Sequence, residues 1–336
     1  MTTRIPVSFA CAGYDRMQAL LTGEVVPSGI DLNFITSNHP RDTFDRMQGG
    51  HEFDCSEMSS SEYICHYAAG ERFFTALPVF PSRVFRHGFI AVNSDLVKNP
   101  KDLEGQKVGV QLYTMTAAVW IRGLLAQEGV DLSKIEWLEG AMEGPGAHGK
   151  PKPTVLPQSK QVKISQNLSQ TKSLSDLLAD GEIAATIGAD LPTNIGKAPN
   201  VKRLFPNFKE AEKRYYRDHG LFPIMHLICI KRSLVQQHPW IPSSLYAAFA
   251  KSKNLALQRM KFLGALRYML PWLPAELDEI EEVFKDTDGD PWPYGVEANR
   301  KTLETLVQFL WEQGMIERQP SIQELFETVR LPQWDI

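Results

Sequence analysis

Three stretches of this chain place catalytic or anion-binding side chains where an α/β protein would use them. "PSRVFRHGF", residues 81–89, carries Arg83, Arg86 and His87 within five positions, directly ahead of the apolar run Phe89-Ile90-Ala91-Val92. Guanidinium groups three residues apart share a side if the loop makes a helical turn, and each can grip a carboxylate through two N–H donors. The second stretch, Glu57-Met58-Ser59-Ser60-Ser61-Glu62, ends one strand-like segment and opens a helix. Ser59 and Glu62 have the spacing of a capping box, which satisfies backbone N–H groups by itself. The same donors could receive a carboxylate ligand instead. Glu57, just before them and partly desolvated, is expected to have a raised pKa and to hold a proton it can give. The third stretch repeats the arrangement, with Thr114 and Thr116 following Lys107–Val110 and preceding an apolar helix. His226 stands ahead of the apolar segment Leu227–Ile230 as His87 stands ahead of its own. A single histidine beside an apolar strand is more often a satisfied core residue, but this matched placement makes both candidates for proton transfer.

Elements in alternation must position these groups. Strands are expected over Ile5–Ala10, Ile30–Ile35, Phe53–Glu57 and Phe73–Val79. Helices are expected over Asp15–Leu21 and Thr43–Gln48 and from Ser59, which reads as a largely parallel α/β sheet. A second α/β unit opens near "KDLEGQKVGV" and runs to "VKRLFPNF". After "MHLICIKRSL" the pattern turns helical, with helices over Pro239–Gly264 and Arg300–Gln313. Leu303, Leu306, Val307, Leu310 and Trp311 are expected on one face of the latter, with Gly314 as its terminator. Phe89–Val92 and Leu227–Ile230 bracket the middle unit and are the natural crossings. Domain one is therefore expected to be discontinuous, residues 1–91 plus 229–336 with the C-terminal helices, and domain two to be inserted as residues 92–228. Small ligands favour a cleft beside such crossings.

The 336 residues are enough for two cores. Thirty-six basic and 40 acidic residues leave a formal charge of -4 with no broad basic surface, so nucleic acid is not an expected partner. No stretch approaches the ~18 apolar residues of a membrane span, and the start lacks a secretory pattern. A cytoplasmic protein is expected, in either monomeric or homo-oligomeric form. Cys11, Cys55, Cys65 and Cys229 are scattered without a CxxC pair and are expected to be reduced. "GPGAHG", residues 144–149, fits GxGxxG but is followed by Lys-Pro-Lys-Pro, where a dinucleotide site needs a helix start. Residues 140–161 read as a surface excursion, either a lid or a solvated loop. "DTDGDPWPYGVE" imitates a calcium loop but has Pro291 where a glycine turn is required. HExxH, GxSxG and Walker patterns are absent.

Six ordered blocks, "GYDR", "FDCSEMSSSEY", "LPVFPSRVFRHGFIAVN", "YTMTAAVWIRGLL", "GLFPIMHLICIKRSL" and "WPYGVEANRKTLETL", together resemble the 4,5-dihydroxyphthalate decarboxylase family over nearly the whole chain. The resemblance implies a two-lobed type II periplasmic-binding-protein-like fold, with an interdomain cleft and two hinge strands. It also implies loss of one carboxyl group from 4,5-dihydroxyphthalate to give protocatechuate and CO2. Such a reaction needs an acid at the ring carbon and a clamp on the retained carboxylate. It needs no electron-sink cofactor, because the para hydroxyl supplies the electrons. On this reading Arg83, Arg86, Ser59, Ser60 and Thr116 hold carboxylates and Tyr14 and Tyr294 meet the ring or its hydroxyls. His87, His226 and Glu57 are then the candidates for proton transfer. A metal-assisted variant would make the same three residues ligands. One departure stands out: Ala189-Asp190 occupies a place where relatives tend to carry arginine. Asp190 would repel a second carboxylate if it faced the cleft, and a mono-carboxylated phenol or another aromatic acid would then fit a cleft with one fewer cation. The rival class is a non-catalytic solute-binding protein for a small carboxylate.

Overall fold

A computed structural model describes residues 4–148, 156–157 and 162–330. Half of the expected surface excursion at 140–161, residues 149–155 and 158–161, lies outside the described residues. The strands are β1 (Ile5–Ala12), β2 (Ile30–Ser37), β3 (Cys55–Ser59), β4 (Phe74–Arg83), β5 (Ile90–Asn93), β6 (Lys107–Val110), β7 (Glu136–Glu139), β8 (Lys163–Gln166), β9 (Ala185–Ile187), β10 (Val201–Arg203) and β11 (Ile224–Lys231). The chain divides into two compact units. The first holds residues up to Arg83, Ile224–Leu303 and those from Pro320 onward; the second holds Val84–Pro223 and Glu304–Gln319.

In the first unit the sheet order is β2-β1-β3-β11-β4. β1 runs parallel to β2 and β3, while β11, from far along the chain, enters antiparallel between β3 and β4. All five residues of β3 are buried, so any polar side chain on it must find its partners inside the protein. The core beneath the sheet is built around Phe9, whose ring meets Phe34 and Phe249 edge-on at 4.9 and 5.1 Å. Fully burying such a ring contributes about 1.5–3 kcal/mol.

The second unit has a six-stranded sheet, β10-β5-β9-β6-β7-β8. Its β9, β6, β7 and β8 are parallel, and β5 runs antiparallel to β9 and β10. The crossings therefore lie before the strands expected to make them. Ile90–Asn93 satisfies its ladder wholly within the second sheet, and Leu227–Ile230 wholly within the first. The crossing segments are instead the end of β4 and the start of β11, and these do run together: Ile224 is in register with Arg83, and the Val84 N–H donates to the Pro223 carbonyl at 3.1 Å. A third crossing passes through the helix Arg300–Glu312, which changes unit between Leu303 and Glu304. Leu303, Leu306, Val307 and Leu310 of that helix are buried as expected, but Trp311 is 41% exposed and faces outward.

Candidate active site

Strand geometry brings the first cluster together. Side chains two apart on a strand share a face, so Glu57 and Ser59 face the same way. On β11, Ile228 lies opposite Glu57 and His226 opposite Ser59. His226 is thus the diagonal neighbour of Glu57, within reach of a long side chain. The β11–β4 register slips on both sides of His226. Such an irregularity re-aims a side chain and is common beside functional sites.

The resulting contact is short: His226 Nδ1 lies 2.6 Å from Glu57 Oε1. The Tyr14 hydroxyl donates to the same oxygen at 2.6 Å, and the Ala12 N–H to Oε2 at 3.1 Å from the carboxyl end of β1. Cys11 Sγ approaches Oε2 at 3.5 Å. Burial alone would raise the Glu57 carboxyl, but His226, Tyr14 and Ala12 together outweigh it and hold the pKa below the ordinary carboxylate value. The expectation of a protonated Glu57 is thereby corrected, because three donors converge on a carboxylate that has no exposure. The same charge, after burial itself, pushes the Tyr14 phenol above its usual range. An ionised carboxylate can only accept, so the contact places a proton on His226 Nδ1 and fixes the orientation of the ring. His226 keeps 18% exposure and meets Phe44 edge-on at 4.9 Å.

Ser59 caps the following helix, its Oγ accepting from the Glu62 N–H. The expected reciprocal half of the capping box is replaced, because the Glu62 carboxylate pairs with Arg41. Ser60 Oγ and the Tyr294 hydroxyl are buried without a hydrogen-bond partner among the described residues. Arg83 is buried and donates from Nη1 to Asn299 Oδ1 at 2.8 Å; Asn299 in turn ties the Pro293 and Gly295 carbonyls. Tyr14, Glu57, Ser59, Ser60, Arg83, His226 and Tyr294 all belong to the first unit.

Arg86, His87 and Thr116 belong to the second unit. His87 is buried against the edges of Phe205 and Tyr215, at 5.3 and 5.2 Å. Burial, with help from Arg214, pulls its pKa down to about 4. Arg86 stacks 4.6 Å over Phe89, with Nη1 3.5 Å from the Ala189 carbonyl. Burial brings it down to about 10, against the opposing pull of Asp190 and Glu212. Asp190 accepts from Gln111 Nε2 at 2.9 Å. Thr116 is the buried first residue of the helix Thr116–Gln127. Among the described residues no three His, Cys, Asp or Glu side chains gather to hold a metal ion, and no helix is long and apolar enough to cross a membrane.

Sequence patterns had not singled out Arg16, Cys11, Trp292 or Asn299. Arg16 stands two residues from Tyr14, and Trp292 and Asn299 flank Tyr294. Their proximity to residues already flagged was the available signal.

The two-sheet architecture defines a class, the periplasmic-binding-protein-like folds. The aliphatic sulphonate binding protein SsuA of Escherichia coli matches 96% of this chain and 97% of its own at a TM-score of 0.54 and 13% identity. The ligand-binding component of an ABC-type import system of Staphylococcus aureus matches the same shares at 0.53 and 10%. Likeness at that identity shows the fold alone. No family model matches the chain. Sequence relatives are more specific. The 4,5-dihydroxyphthalate decarboxylase of Comamonas testosteroni is 34% identical over 337 residues, covering 99% of this chain and 100% of its own. That of Pseudomonas putida is 35% identical over 217 residues, 64% of this chain and 82% of its own. The chain belongs to the 4,5-dihydroxyphthalate decarboxylase family.

Proposed function

We propose that the protein is a carboxy-lyase that converts 4,5-dihydroxyphthalate to protocatechuate and CO2, with His226 as the proton donor and Glu57 as the group that orients it. The observation that carries the assignment of roles is the 2.6 Å contact between His226 Nδ1 and a fully buried, ionised Glu57. Each ring carbon bearing a carboxylate in this substrate has a hydroxyl para to it. His226 delivers a proton from Nε2 to the carbon whose carboxylate will depart. The para oxygen relieves the resulting cation by becoming a ketone, its proton passing to an acceptor. The carbon–carbon bond then breaks, its electron pair restores the aromatic ring, the oxygen regains a proton, and CO2 leaves. The net change is one proton gained at carbon and one CO2 lost. A histidine oriented by a buried carboxylate suits such general-acid work. Because the ring supplies the electrons, no cofactor enters the scheme. Within the first unit Ser59, Ser60 and Arg83 remain the candidate donors to substrate carboxylates, and Tyr14 and Tyr294 to the ring; Arg86 and Thr116 belong to the second unit. His87 is assigned packing rather than proton transfer, since it is buried against the Phe205 and Tyr215 rings of the second unit. Four free thiols, Cys11, Cys55, Cys65 and Cys229, suit the reducing cytoplasm we assign to it.

Purified protein mixed with 4,5-dihydroxyphthalate should release CO2 and protocatechuate in equal amounts, with or without a chelator. Binding without release would instead make it a receptor, and chelator-sensitive release would require a metal in the scheme.

A further inference from the structure

The Tyr14 hydroxyl is engaged with Glu57, but the face of its ring carries a second group. The Arg16 guanidinium carbon lies 4.2 Å from the Tyr14 ring centroid and 4.6 Å from that of Trp292. Its Nε donates to the Pro81 carbonyl at 2.6 Å and its Nη1 to the Asp15 carboxylate at 2.9 Å. Nη2 makes no hydrogen bond among the described residues. The side chain retains 15% exposure. Two rings and a backbone carbonyl therefore hold the planar cation in one orientation before any ligand arrives, which lowers the entropy lost on binding. Its charge also reaches Cys11, Tyr14 and Tyr294, opposing the rise in their pKa values. Arg16 is thus one phenol ring away from the Glu57–His226 pair, within the same unit.

We propose that Arg16 is the carboxylate anchor of the first unit, receiving an aromatic acid through the Nη2 edge while His226 faces the reacting carbon. The inference rests on the aromatic-acid reading above and extends it by naming the cation that selects the acid. The other two candidate arginines are less suited to the role: Arg83 gives Nη1 to Asn299, and Arg86 already lies in the field of Asp190 and Glu212. The Asp15 carboxylate on Nη1 repels a second carboxylate arriving at the Nη2 edge of the same guanidinium, so neutralising it should improve binding.

The test measures phthalate and catechol binding by calorimetry, and turnover of 4,5-dihydroxyphthalate, in wild type, R16Q, R16K and D15N. A charge-assisted hydrogen bond to a carboxylate corresponds to about tenfold to a hundredfold in affinity. R16Q should weaken phthalate by that amount and leave catechol within about twofold. R16K, lacking the planar fork, should recover only part of the loss. D15N, at a 41%-exposed side chain, should tighten phthalate binding severalfold, a gain that damage to the fold would not produce. Wild-type phthalate affinity in R16Q, or no gain in D15N, overturns the anchor. Turnover by wild type combined with unchanged affinity in R16Q would leave the decarboxylase reading intact and remove the anchor. Arg16-dependent phthalate binding without turnover would do the reverse.

Discussion

His226 and Glu57 are diagonal neighbours on adjacent antiparallel strands, and Nδ1 and Oε1 close to 2.6 Å across the ladder. The pair is assembled by strand register alone. A one-residue slip of β11 would turn His226 to the other face of the sheet.

Replacing His226 with Asn should lower turnover by about 10²-fold or more while substrate affinity stays within a few fold, the pattern of a lost proton donor. Steady-state rates and a binding titration measure the two quantities separately. A variant with wild-type turnover would move the role to another residue.

Glu57→Gln preserves the shape of the carboxyl group but removes the charge of the acceptor that orients the His226 ring. Turnover should fall by about tenfold to a hundredfold, and the double variant with His226→Asn should be little slower than His226→Asn itself, because the two act as a unit. Multiplicative losses would mean the residues act independently. The folded pKa of Glu57 is depressed, so its ionisation adds stability above the unfolded carboxylate pKa, and that stability is lost as pH falls through the folded value. E57Q should accordingly show a shallower decline in melting temperature at acid pH than wild type.

In the second unit two groups titrate in opposition. His87 is lowered from 6.5 to about 4 by burial and Arg214, so between those values the unfolded chain binds a proton that the folded chain refuses, and stability falls on acidification. Glu212 is raised from 4.5 to about 7, by burial and against the Gly88 and His87 backbone donors and Arg86. Between those values the folded chain keeps a proton that the unfolded chain releases, so stability falls as pH rises. The slopes offset one another over most of the window. Relative to wild type, E212Q should lose melting temperature more steeply from pH 6.5 down toward 4.5, and H87N more steeply from pH 4.5 up toward 7. Three parallel curves would refute the opposition.

Gly123 is required for packing. A Cβ there would stand 2.1 Å from a ring carbon of Phe309, whose ring also packs edge-on against Trp120 at 5.5 Å. Gly123→Ala should destabilise the protein by about 1–3 kcal/mol, the range for overpacking, as read by chemical denaturation. An unchanged midpoint would show that the Phe309 ring can yield.

The alternation of strand and helix was legible because it follows from periodicity and chain order. Chain order matched His226 with His87, whereas the contact His226 makes is with Glu57, and His87 belongs to the other unit. The crossing points were displaced by several residues, because an apolar run such as Ile90–Asn93 declares burial without declaring which sheet will bury it. The protonation state of Glu57 was hidden for a related reason. A carboxylate beside an apolar strand looks desolvated in sequence, and only the register reveals that Ala12, Tyr14 and His226 converge on it. Arg16 is two residues from Tyr14, but Trp292, the second ring that holds it, lies far along the chain, and no spacing in the sequence joins the three.

The return of Glu304–Gln319 to the second unit bears on how the protein could be dissected. Within that segment Phe309 covers Gly123, and Gln313 Oε1 accepts from the fully buried Arg122 at 2.8 Å. A gene fragment encoding only residues 84–223 would synthesise a body with a bare trench along its Thr116–Gln127 helix and a guanidinium stripped of its amide partner. A soluble version would have to carry the later peptide too, spliced on or supplied in trans.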